Sequence, residues 1–227
     1  MDKQAFEKIE AYMLSCTCDA AHDAEHVYRV LYNALDIAAT EQGVDYDVLL
    51  AACLLHDIGR ARQYENPKLC HGIEGGEMAF EYLSGIGFTE RAATHAKQCI
   101  ASHRHRSDAS PMTMEAKILF DADKLDVSGA TGITRSLLHS GQIGQPLYIL
   151  DDDGEIVLDG GGAEMSSFFQ EYHFKLKKTG EAFHTDRARE ISRERQQAMT
   201  DFYDSLYSEL TQNLKQGRAN IAKLLGD

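Results

Sequence analysis

Apolar residues recur with the 3.6-residue spacing of an α-helix through most of this 227-residue chain. Between Asp23 and Gln42, Val27, Val30, Leu31, Ala34, Ile37 and Ala38 fall at i, i+3, i+4, i+7 spacing, and Gly43 supplies a C-terminal stop. Asp45 is placed to cap a helix that carries Val48, Ala51, Ala52 and Leu55 and ends at Asp57-Ile58-Gly59. Further helices are predicted from Gly72 to Ser84, from Thr89 as cap to Ser102, from Thr113 as cap to Val127, and from Gly132 to His139. The opening residues MDKQAFEKIEAYML are amphipathic and acidic. No strand pattern of comparable length competes with these helices.

One long irregular piece, Ser140 to Gly162, interrupts the pattern with Asp151-Asp152-Asp153-Gly154 and Asp159-Gly160-Gly161-Gly162. These runs lack the spacing and closing Glu of a calcium loop, so a solvated loop or a short hairpin over Leu147 to Leu158 is expected. Helical periodicity resumes over Phe168 to Lys177 and over Phe183 to Leu210, where Ile191, Ala198, Phe202, Leu206 and Leu210 share a face. The architecture expected is all-α and one structural domain. Its parts are a helical core over 1–139, the loop or hairpin over 140–163, and C-terminal helices over 164–227 packed on the core.

Composition narrows the function classes. With 43% hydrophobic residues and 3 prolines, the chain has ample material for a buried core. Its 23 Lys and Arg stand against 36 Asp and Glu, a formal net charge of −13. Such a surface repels a polyanion, which argues against a nucleic-acid polymer as partner; a small anionic substrate stays open if a bound cation reverses the local field. Neither a basic leader with a cleavage site nor a membrane-length apolar run is present, so a cytoplasmic protein without membrane contact is expected. Cys16 and Cys18 stand close enough for a metal or redox pair, but no second pair follows. Together with Cys53, Cys70 and Cys99 they read as small, mostly buried thiols in a reducing compartment.

The histidines and aspartates carry the chemistry. His26 lies four residues before Val30 and flanks the inward stripe of its helix. His56 and Asp57 follow the apolar run AACLL, where the chain leaves helical geometry toward Gly59, so both can aim at one point. A carboxylate so near a core is costly unless a cation meets it. Asp123, four residues after Leu119 and three after Phe120, continues the core face of its helix, whereas Asp121 points elsewhere. Two imidazoles and two carboxylates from three helices suit a divalent transition metal.

The order His26 in HDAEHVYRV, His56-Asp57 in AACLLHDIGR, and Asp123 in AKILFDADKLD followed by GATGITR resembles the HD-domain superfamily of metal-dependent phosphohydrolases. More narrowly it resembles the small bacterial members, among them nucleotide pyrophosphohydrolases. The motifs span about Ala20 to Arg135, and a helical tail from Phe168 is also of the kind this subgroup carries. The resemblance implies an HD-domain helical bundle with a C-terminal helical extension. It implies one divalent ion, Mn, Ni, Co, Fe, Zn or Mg, on His26, His56, Asp57 and Asp123, and a small phosphorylated substrate, foremost a nucleotide.

Hydrolysis by activated water needs cations around the phosphoryl group. Arg60 and Lys124 are the candidates for substrate contact, with Asp57, Lys124 and His103 as catalytic candidates. Binuclear relatives add two histidines between the HD pair and the last aspartate, and His71 and His103 occupy that interval; His103 continues the Ala92, Ala96, Cys99 face better than His105 does. They serve either as ligands of a second ion or as donors to substrate phosphate, and the resemblance to the small hydrolases favours the donors. Gly75 and Gly76, inside a helical pattern, point to close backbone packing or room for a ligand. A binuclear-iron oxygenase and a catalytically silent ligand-binding module are the alternative classes.

Overall fold

A computed structural model describes residues 1–16, 24–104, 110–159, 167–181 and 183–226, apart from the side chains of residues 179–181. Two helices, α1 (Lys3–Cys16) and α2 (Ala24–Ala38), precede α3 (Tyr46–Leu55), α4 (Arg60–Glu65), α5 (His71–Gly85), α6 (Glu90–Ser102) and α7 (Met114–Leu125). Then come α8 (Gly129–Gln142), α9 (Phe168–Phe174), a 3-10 turn at Leu176–Glu181, and α10 (Asp186–Leu225). The only β pairing among the described residues is an isolated antiparallel bridge between Leu150 and Ile156. The chain is all-α.

Side-chain caps set several starts. Asp45 accepts from the backbone N–H groups of Asp47 and Val48, Thr89 from that of Ala92, and Thr113 from that of Ala116. Boundaries read from periodicity shift where apolar spacing and helix length part company. The first long helix stops at Ala38 rather than Gln42, and the one capped by Thr113 stops at Leu125, with Asp126 as its C-cap. The helix at Gly132–His139 reaches Gly129–Gln142. Phe168 to Lys177 divides into α9 and the 3-10 turn, and Phe183 precedes α10, which runs on to Leu225 through a polar stretch. The short α4 had no apolar periodicity to announce it; none of its residues is buried.

The chain divides into two compact units, Met1–Asp126 with Ala182–Ile191, and Val127–Glu181 with Ser192–Asp227. The first is built around α3, which is apolar nearly all round: Val48, Leu49 and every residue from Ala51 to Leu55 are buried. Each of Leu49, Leu54 and Leu55 contributes about 1.5–3 kcal/mol by leaving water. That burial anchors the turn that follows, where His56 and Asp57 sit. Phe183, Ala188 and Ile191 join the same core.

Ile133, Phe168, Phe169, Tyr172, Met199 and Tyr203 form the core of the second unit, with the Tyr172 and Tyr203 rings stacked at 3.8 Å. Cys53 and Cys99 are buried free thiols, Cys16 and Cys70 are half-buried, and Cys18 lies outside the described residues. No described helix is long and apolar enough to cross a membrane.

Candidate metal centre

Five elements of the first unit deliver the site. His26 stands in the first turn of α2, His56 is the C-cap of α3 with Asp57 beyond it, and His71 opens α5. His103 is the C-cap of α6, and Asp123 lies in the last turn of α7. The capping positions matter because a residue leaving a helix can aim its side chain along the axis instead of across it. The approach of α5 depends on glycine: Gly75 and Gly59 pass so closely that a Cβ on Gly75 would lie 3.2 Å from the Gly59 nitrogen and 3.6 Å from the His56 carbonyl oxygen. A Cβ on Gly76 would meet the Lys97 carbonyl at 3.0 Å, so both glycines serve backbone packing.

Each of the four imidazoles has its Nδ1 committed. His26 Nδ1 donates to Asp126 Oδ2 at 2.7 Å, His56 Nδ1 to the Cys53 carbonyl at 2.8 Å, and His103 Nδ1 to the Ile100 carbonyl at 2.6 Å. For His71 the nearer partner is Gln63 Oε1 at 2.6 Å, with Arg104 Nη1 at 3.2 Å. With acceptors as nearest partners, the protons are assigned to Nδ1, leaving four Nε2 lone pairs facing inward. These lone pairs meet in twos, His26 with His56 and His71 with His103, each 3.3 Å apart between Nε2 atoms.

Asp57 stands between the pairs. Its Oδ2 lies 3.6 Å from His26 Nε2 and 3.7 Å from His56 Nε2, and its Oδ1 lies 3.3 Å from His71 Nε2 and 3.7 Å from His103 Nε2. Asp123 Oδ1 is 3.5 Å from His26 Nε2. Among the described residues Asp57 Oδ1 is buried without a hydrogen-bond donor, a costly condition unless a cation completes it. The residues therefore fit divalent ions, and they fall into two groups of converging donors: His26, His56, Asp123 and Asp57, His71, His103.

Burial opposes ionisation of Asp57; His56, His26 and His71 hold its carboxyl well below the usual range when they carry a proton toward it, and Arg60 adds to that lowering whatever their state. Burial likewise opposes ionisation of Asp123, and the surrounding imidazoles and Lys124 overcome it. Burial pushes His71 down and His103 to about 3, so both stay neutral and available as ligands.

Comparison with known proteins places this arrangement. Residues 23–128 match the HD domain. That segment, which carries His26 through Asp126, is an HD domain. Over 210 residues it is 28% identical to the uncharacterized protein YpgQ of Bacillus subtilis, covering 92% of this chain and 94% of that one. The crystal structure of YpgQ in complex with ADP shares its fold, with a TM-score of 0.71 at 24% identity over 91% of this chain and 95% of that chain. A protein from an uncultured Thermotogales bacterium, described as a predicted HD superfamily hydrolase, matches with a TM-score of 0.61 at 26% identity over 92% of each chain.

Around the HD pair, Arg60 donates through Nε to Asp57 Oδ2 at 3.0 Å. Lys124 follows Asp123 and holds its ammonium 5.6 Å from the centre of the Phe120 ring. Asp121 is directed away from the imidazoles, accepting from the backbone of His184 and from both the backbone and hydroxyl of Thr185. His105 lies outside the described residues. Sequence reasoning missed Asp126, Arg29 and Gln63. The i+3 spacings Asp123/Asp126 and His26/Arg29 were the available signal, since residues three apart share a helix face.

Proposed function

We propose that this HD-domain protein is a metal-dependent phosphohydrolase acting on a small phosphorylated substrate, foremost a nucleotide, at a phosphomonoester or pyrophosphate bond. The observation that carries the reading is the orphaned Asp57 Oδ1 among four Nε2 lone pairs, with the Arg60 guanidinium beside it. His26, His56 and Asp123 would hold one ion, and Asp57, His71 and His103 a second. A bound divalent ion supplies Lewis acidity toward a phosphoryl oxygen and makes water nucleophilic at neutral pH.

The residues of the chain provide the rest. Arg60 and Lys124 offer the positive charge that phosphoryl transfer calls for, and Asp57 stays ionised beside the Arg60 guanidinium. We read His71 and His103 as ion ligands in place of the phosphate donors favoured by sequence: with Nδ1–H assigned toward Gln63 and Ile100, each neutral ring offers its Nε2 lone pair. The solved complex of YpgQ with ADP supports a nucleoside phosphate as the substrate class.

The position of Asp57 between two imidazole pairs also suits a second reading, a binuclear-iron oxygenase. One screen separates the classes. Protein loaded with Mn, Co, Ni, Fe or Zn is offered nucleoside mono-, di- and triphosphates, with phosphate and pyrophosphate detected separately. Metal-dependent release of either is expected. Oxygen consumption by the iron form without such release favours the oxygenase, and neither activity with any metal leaves a silent ligand-binding module.

A further inference from the structure

One helix grips His26 at both ring nitrogens. Asp123 Oδ1 lies 3.5 Å from Nε2, while Asp126 Oδ2 accepts the Nδ1 proton at 2.7 Å. The two acids stand three residues apart at the end of α7, Asp126 as its C-cap, and so face the same neighbour. Arg29 completes the arrangement from α2, three residues after His26. Its Nε donates to Asp126 Oδ1 at 2.7 Å and its Nη2 to Asp126 Oδ2 at 3.1 Å. Asp126 itself is 1% exposed.

We propose that Asp126, locked by the Arg29 fork, is the positioning residue that sets the His26 tautomer and thereby the ion affinity of the His26, His56, Asp123 group; this rests on reading His26 as a ligand. The other three imidazoles are oriented by neutral carbonyl or amide oxygens, so His26 is the ring of the four directed by a carboxylate. A carboxylate is an acceptor at both oxygens and can meet Nδ1 only when Nδ1 carries the proton, which puts the lone pair on Nε2, toward His56 and Asp123. Arg29 is a donor without acceptor capacity, so it holds both Asp126 oxygens in place and excludes the alternative in which the carboxylate turns away.

Replacing Asp126 by Asn tests the idea at nearly constant volume. Arg29 claims the amide oxygen, the amide NH2 faces His26 Nδ1, and the ring is driven to the Nε2–H tautomer, aiming a proton where the ion must bind. In calorimetric titration with Mn2+ or Co2+ alone, Asp126→Asn is expected to lose about 10- to 100-fold in affinity. Imidazole 15N spectra of the metal-free protein are expected to show His26 moving from Nδ1–H to Nε2–H while His56 keeps Nδ1–H. Arg29→Gln, at a side chain 36% exposed, keeps the carboxylate and is expected to give a smaller loss with the tautomer retained. Wild-type affinity or an unmoved His26 tautomer in Asp126→Asn overturns the proposal. Should that variant fail to fold, wild-type affinity in Arg29→Gln does the same. Neither readout uses a substrate. An absence of phosphate hydrolysis therefore counts against the function alone, whereas loss of metal in His26→Ala beside wild-type behaviour of Asp126→Asn counts against the positioning role alone.

Discussion

Gly59 passes against Gly75 so closely that a Cβ on Gly59 would lie 2.5 Å from the Gly75 nitrogen and closer still to the His71 carbonyl oxygen. Backbone cannot yield as a flexible side chain does, so the HD turn and the start of α5 hold one spacing, and that spacing brings His71 to Asp57.

Gly59→Ala is therefore expected to cost about 1–3 kcal/mol by overpacking. It should also weaken ion binding at Asp57, His71 and His103 more than at His26, His56 and Asp123. Urea unfolding and metal titration check both; a variant of wild-type stability with both affinities intact contradicts the packing argument.

Asp121 and Asp123 are neighbours with opposite duties. Asp121→Ala removes the acceptor of the His184 and Thr185 donors and is expected to lower stability by about 2–4 kcal/mol, leaving metal content per folded molecule unchanged. Asp123→Asn should do the reverse, losing metal while keeping the fold. Paired unfolding curves and elemental analysis of the two variants decide this.

The metal-free protein should be acid-labile. His103 titrates near 3 in the folded chain, below its ordinary 6.5, because burial excludes the charged ring. Between those values the unfolded chain binds a proton that the folded chain refuses, so stability falls as pH drops from about 6.5 toward 3. His71, Asp57 and Asp123, also lowered, act in the same direction, the carboxylates at the acid end. Urea midpoints measured from pH 7 downward should decline, with a shallower slope in His103→Asn; a midpoint flat or rising toward acid is the contrary result.

Thiol reactivity should divide by burial. Cys99 is pushed up to about 12, chiefly by burial, and Cys53 is raised further for the same reason, so neither supplies thiolate at pH 8. An alkylating reagent, mapped by mass spectrometry, should mark Cys16 and Cys70 in the folded protein and reach Cys53 and Cys99 only on unfolding. Marking of Cys53 at the rate of Cys16 contradicts this, and would also mean that the Cys53 carbonyl is not holding His56 as described.

Much of this was legible in the chain. The apolar stripes announced the helices, and the caps Asp45, Thr89 and Thr113 announced three starts, because both are local physics. His26, His56, Asp57 and Asp123 stood out as polar groups placed beside apolar faces. Which ring nitrogen of His71 and His103 faces the site was not legible, since that depends on the contacts with Gln63 Oε1 and the Ile100 carbonyl. Asp126 and Arg29 drew no reading from the sequence, because only the packing of α2 against α7 buries one and fixes the other. The end of α10 escaped because Gly217 interrupts the apolar spacing after Leu214, and Ile221, Leu224 and Leu225 beyond it are exposed.

The most direct test of the metal-dependent hydrolase reading is turnover of nucleoside phosphates by wild type and Asp123→Asn side by side in Mn2+, with circular dichroism to confirm that both are helical. The account expects release of phosphate or pyrophosphate by the wild type only when the ion is present, and none above background by the variant. Equal ion-dependent turnover by the two proteins would contradict it.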